Sequence, residues 1–102
     1  MPRDSYEISF AGSYADGSAA FVISKNGEPW MKPTVCLAPG YTPPSDCILI
    51  KDWGENEGIL ASMFAADLIA APHAEHPAGW AVAYECRMKA DLARLIEASN
   101  DR

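Results

Sequence analysis

The run Cys47-Ile48-Leu49-Ile50 constrains the fold more than any other stretch of the chain. Four consecutive apolar residues, bounded by Asp46 and by Lys51-Asp52, are too few for a helix. They also lack the alternation of a strand with one wet face. The pattern is that of a strand buried on both sides, and hence a central strand whose two faces must both be covered. A chain of 102 residues can build one modest core and not two, so the cover has to come from the same domain. A single domain over residues 1–102 is expected, with polar tails at 1–4 and 99–102.

The residues around this run supply the cover. Tyr6, Ile8 and Phe10 alternate with Glu7, Ser9 and Ala11, the period of a half-buried strand. Ala19 to Ser24 is rich in strand formers and runs into Asn26-Gly27, the strongest short signal for a tight hairpin. A returning strand is expected from Trp30 to Ala38, on an edge because Pro29 and Pro33 donate no ladder hydrogen bond. Past Cys47–Ile50, Ile59, Leu60, Met63, Phe64 and Leu68 recur at helical spacing, and Pro72 is the expected stop. His73 to Gly79 reads as loop. Trp80, Val82, Tyr84, Cys86 and Met88 alternate as a strand, and Ala90 to Ala98 reads as a short helix. The expected class is α+β: a mostly antiparallel sheet of about five strands in the order β-β-β-β-α-β-α, with two helices packed on one face. Trp30 and Trp80 are expected in the core by strand position.

Charge narrows the function. Fourteen acids against eight bases give a net charge of −6, and no Lys or Arg occurs between Lys51 and Arg87. Direct nucleic-acid binding is disfavoured, because phosphate contacts need a basic face. An acidic face suits a basic protein surface instead. The opening MPRDSYEIS has no apolar signal core, and Ile59 to Pro72 is too short and too interrupted to span a bilayer. A cytoplasmic protein without membrane contact is expected. Cys36, Cys47 and Cys86 are odd in number and show no CxxC spacing, so reduced thiols are expected in place of a disulfide framework.

Lys51-Asp52-Trp53-Gly54-Glu55-Asn56-Glu57-Gly58 comes nearest to a motif. It fails as a calcium loop, because Gly54 falls at the third position and Glu57 at the sixth, with the glycine one place late. It lacks the spacing and the Lys-Ser/Thr pair of a phosphate loop. As a helix start it works: Gly54 at the cap puts Glu57 where a capping box needs a carboxylate, and Asn56 is the competing cap. Asp52 and Trp53 are left without a role by that reading. Asp67 falls on or beside the helical stripe, and is expected either at its edge or paired with a base such as Arg87, in preference to being a buried functional carboxylate.

The stretch ILIKDWGENEGILASMFAADLIAA resembles the central motif of a family of small phage, prophage and mobile-element proteins. Lys51, Asp52, Trp53, Glu55, Asn56, Glu57 and Gly58 follow the family pattern, and Gly54 replaces its usual serine or alanine. The upstream NGEPWMKPTVCL is similar to the family's hairpin. The resemblance implies a small accessory protein acting in the host cell, a class that includes anti-CRISPR and other anti-defence inhibitors. Together with the charge pattern it gives a non-enzymatic inhibitor that needs no cofactor. Its acidic face, formed by Asp52, Trp53, Glu55, Glu57, Glu75 and Glu85, would occupy the nucleic-acid site of a host protein or ribonucleoprotein complex. The alternative is a small-ligand or zinc-binding protein, or a minor enzyme. Zinc ligands would then come from His73, His76, Cys36 and Cys47, and a nucleophilic pair from Cys47 or Cys86 with either histidine. A solvated loop is the simpler reading of the two histidines. A structural component of a phage particle or conjugative apparatus is a third.

Overall fold

The computed structural model describes residues 6–100, except for the side chains of Glu55 and Asn100. The expected tail at 1–4 lies outside the described residues. Strands β1 (Tyr6–Ser13), β2 (Ala19–Lys25) and β3 (Glu28–Met31) form one antiparallel sheet in that order. Strands β4 (Cys47–Lys51), β5 (Ala74–Ala78) and β6 (Ala81–Arg87) form a second, ordered β4-β6-β5. Helix α1 (Ile59–Ala65) follows β4, and α2 (Ala90–Asn100) closes the chain. The class is α+β with antiparallel strands, but the expected five-stranded sheet is replaced by two sheets of three.

The Asn26-Gly27 turn forms as its signal dictates, with positive φ at both residues (53° and 87°). The chain then leaves the first sheet earlier than expected. Beyond Met31 the backbone passes to the second sheet, where Thr34 bridges Ile50 and Lys51 N–H donates to Pro33 C=O at 2.7 Å. Val35 N–H donates to Leu49 C=O at 3.1 Å. Pro33 has no amide hydrogen to continue the first ladder, and the expected strand from Trp30 to Ala38 is divided there between two partners. Thr34 is the seam: its buried hydroxyl lies 3.3 Å from the Phe21 amide and 3.1 Å from the Tyr14 hydroxyl.

Cys47, Ile48, Leu49 and Ile50 are all buried, as a two-faced strand requires. The centre of its sheet is nevertheless β6 and not β4. The hidden third strand is β5, in the segment expected as loop. Pro77 lies within it, on an edge where a missing amide hydrogen is tolerated. A two-residue turn, Gly79-Trp80, then joins β5 to β6 and leaves Trp80 fully exposed at its tip. Trp30 is half exposed on β3. Neither tryptophan is in the core.

Helix α1 is shorter than its apolar stripe. Asp67 takes a left-handed conformation, φ 62°. Leu68 N–H reaches back to Met63 C=O and Asp67 N–H to Phe64 C=O, both at 3.0 Å. This is the Schellman stop, with aspartate in the place usually held by glycine. Residues beyond it run along β6: Ala70 N–H donates to Arg87 C=O at 2.9 Å and His73 N–H to Glu85 C=O at 3.0 Å. Asp67 pairs with Lys89 at 2.6 Å, not with Arg87. The core joins both sheets and both helices through Phe21, Ile23, Ile48, Ile50, Met63 and Leu92. Among the described residues no helix is long and apolar enough to cross a membrane.

Candidate functional site

Antiparallel pairing places opposed residues on the same face of a sheet. Leu49 is opposite Glu85, and Glu85 is opposite Ala74 on its other side, so β6 presents Glu85 between the two flanking strands. Cys47, two residues along β4 from Leu49, shares that face, as does His76. Ile48, Ile50 and Cys86 turn the other way, into the core. The second face is covered by the proline-rich loop between residues 38 and 46, which lays Tyr41 over it. The Tyr41 ring stacks on the His76 imidazole with centroids 4.0 Å apart.

Glu85 is 3% exposed, and a carboxylate buried this deeply has to be paired. It accepts a hydrogen bond from the Tyr41 hydroxyl at 2.5 Å on Oε1. His76 Nε2 lies 2.9 Å from the same oxygen, and His73 Nε2 lies 2.5 Å from Oε2. Burial alone would push the Glu85 carboxyl up, but hydrogen bonds from Tyr41, His73 and His76 outweigh it and hold the group below the ordinary glutamate value. The same contact with Glu85 raises the Tyr41 phenol. Cys47, His73 and Glu85 each bring one donor atom to within 4.8 Å of the others. Cys36 is not in this group. The Cys47 thiol is pushed up to about 11, chiefly by burial, and Cys86 likewise. Neither is a thiolate at neutral pH, so a Cys-His nucleophile is not primed here.

The Lys51–Gly58 junction is built differently. Residues 54–56 form one 3₁₀ turn, and Gly58, φ 95°, is the cap of α1. A glycine cap has no side chain to satisfy the first helical amides, and Asp52 does it from six residues upstream. Its Oδ1 accepts from Gly58 N–H at 2.8 Å and Leu60 N–H at 3.2 Å. The expected capping box on Gly54 and Glu57 is not formed, and no acid lies in the first turn of α1. Asn56 is buried and donates to Lys32 C=O at 2.7 Å, tying the junction to the crossover between the sheets. Trp53 is half-buried, with the Lys51 ammonium 5.9 Å from its ring.

The predicted acidic face is thus not brought together as one surface. Glu85 is buried in its own cluster and Asp52 is engaged with the backbone, while Glu57 and Glu75 are exposed. The Glu55 side chain lies outside the described residues. Tyr41 carried no sequence signal: its bond to Glu85 spans 44 positions of chain.

A groove of about 540 Å³ opens between the first sheet and α1. Ile8, Ile23, Met31, Ile59 and Met63 are among its apolar lining, and Glu7 and Glu57 are its acids. Tyr6 and Trp30, each about half exposed, stand in it with ring centroids 5.2 Å apart, and the Lys25 ammonium lies 5.6 Å from the Trp30 ring. Half-exposed aromatic rings beside apolar lining are the composition of a binding surface. No family model, curated protein or solved structure matches the chain.

Proposed function

We propose that this chain is a non-enzymatic binding protein that inhibits a host defence complex, in the manner of an anti-CRISPR protein, by covering a basic nucleic-acid site on its partner. The observation that carries the binding reading is the aromatic groove beside α1. Tyr6 and Trp30 provide the large, rigid anchors typical of energetic hot spots, and Glu7 and Glu57 favour a partner whose rim is basic. The net charge of −6 points the same way. The choice of a defence complex rests on the resemblance of the Lys51–Gly58 stretch to mobile-element proteins. The contact surface proposed is therefore the groove with Glu57, and not the wider acidic set that includes Asp52 and Glu85.

The test is phage plating on hosts that carry different defence systems, with and without the protein expressed. Plating should be restored in at least one host, and the purified protein should compete with nucleic acid for the complex from that host. Trp30→Ala should weaken that competition by about 30-fold, the size of a hot-spot loss of about 2 kcal/mol. Restoration in no host would remove the proposal.

A further inference from the structure

We propose that Cys47, His73 and Glu85 form a binding site for a zinc-type divalent cation, with three protein ligands and a fourth position open toward solvent. The site is separate from the groove and does not depend on the reading of that surface. Its three donor atoms already lie within 4.8 Å of one another. A tetrahedral zinc ion, with bonds of about 2.0–2.3 Å, holds its ligands about 3.3–3.8 Å apart, so small side-chain rotations close the site.

The donor set is one sulfur, one imidazole nitrogen and one carboxylate oxygen, which suits zinc and not calcium or magnesium, both of which require oxygen ligands. A thiolate and a carboxylate also neutralise the two positive charges, as a site walled by buried residues requires. Cys47 and Glu85 are 5% and 3% exposed, whereas the His73 side chain is 46% exposed and forms the way in.

The surroundings of Glu85 are those of a ligand held by a second layer of contacts. The Tyr41 hydroxyl and His76 Nε2 both meet Oε1, which leaves Oε2 directed at His73. Outer contacts of this kind orient ligating carboxylates. The cation takes the place of the direct contact between His73 Nε2 and Glu85 Oε2. On binding, the Cys47 thiol loses its proton to solvent, and His73 coordinates as the neutral imidazole, with a lone pair on Nε2 and its single proton on Nδ1. Two ligands sit on one sheet and the third is tied to it: Cys47 opens β4, Glu85 is central on β6, and His73, one residue before β5, has its amide bonded to the Glu85 carbonyl at 3.0 Å.

Titration of the purified, metal-stripped chain with cobalt(II) alone, followed by zinc, tests the assignment. One cobalt per chain should bind with the intense thiolate-to-cobalt charge-transfer band and tetrahedral visible bands, and zinc should displace it. Cys47→Ser should abolish the charge-transfer band, while Cys36→Ser and Cys86→Ser retain it. His73→Ala should weaken cobalt binding at least about 10-fold, and His76→Ala should weaken it by about 10-fold through the second layer. Circular dichroism on each variant establishes that it is folded. Absence of the charge-transfer band in the folded wild type would overturn the proposal, as would its survival in folded Cys47→Ser or undiminished affinity in His73→Ala.

Discussion

At the Lys51–Gly58 junction the acidic side chains are neighbours in sequence, and among the described acids there it is Asp52 that makes side-chain contacts, with backbone amides. Around Glu85 a single carboxylate collects side chains from residues 41, 73 and 76, none of which is its neighbour in sequence. The first arrangement begins a helix. The second gathers ionisable groups at bonding distance around a carboxylate from which water is largely excluded, a setting that suits metal or proton chemistry. Density of acids along a chain is thus a poor guide to a site, because chain neighbours on a strand or turn point apart. Cross-strand register decides which side chains meet.

The largest effect that this contrast entails is at Glu85. Glu85→Ala leaves Tyr41, His73 and His76 without their common acceptor and should lower the unfolding free energy by about 3 kcal/mol in urea titrations. Glu85→Gln keeps an acceptor and should cost less. Its deficit should also depend on pH. Because the folded-state carboxyl titrates below its ordinary value of 4.5, its stabilisation is fully present above that value. It is lost as the pH falls below 4.5 and through the folded-state value. The wild-type advantage over Glu85→Gln should therefore close in that acid window. An advantage that stayed constant through it would show that the charge of Glu85 contributes nothing to the cluster.

The junction should give a smaller figure of a different kind. Asp52→Ala removes the acceptor for the Gly58 and Leu60 amides and should cost about 1 kcal/mol, the usual worth of a helix cap. Asp52→Asn retains an acceptor oxygen and should recover most of it, losing only about 0.3 kcal/mol of interaction with the helix dipole. A neutral Asp52→Ala would put the junction's order elsewhere, with Asn56 and its bond to the Lys32 carbonyl as the remaining tie.

What could be read from the sequence was local. The Asn26-Gly27 hairpin and the two-faced burial of Cys47–Ile50 follow from a few adjacent residues, and both are present. What could not be read depends on competition between distant partners. Pro33 ends one ladder, but only the waiting edge of β4 decides that the chain joins a second sheet. Asp67 stops α1 in a conformation normally signalled by glycine, so the apolar stripe beyond it reads as more helix. The strand at Ala74–Ala78 has a proline and few strand formers, and is held by its pairing with β6. Once that strand is missed, the meeting of His73 and His76 with Glu85 is hidden too. Both histidines and Cys47 are recognisable as candidate ligands, but Glu85, on which the histidines converge, reads as one more surface acid.

The smallest effect is expected at Glu57, and its smallness is informative. A helix starting at Gly54 would place this carboxylate in the first turn, close to the positive end of the dipole. The helix starts instead at Ile59, with Glu57 exposed one residue before the cap and making no ion pair with a described residue. Glu57→Gln should then change stability by less than about 0.5 kcal/mol, as surface substitutions away from special contacts do. Its effect should appear only in partner binding, because Glu57 is one of the acids of the aromatic groove. A loss of about 1 kcal/mol in the isolated protein would instead mean that the carboxylate belongs to the helix start. The junction would then contain two structural acids, and the groove would keep Glu7 as its only acid without another task.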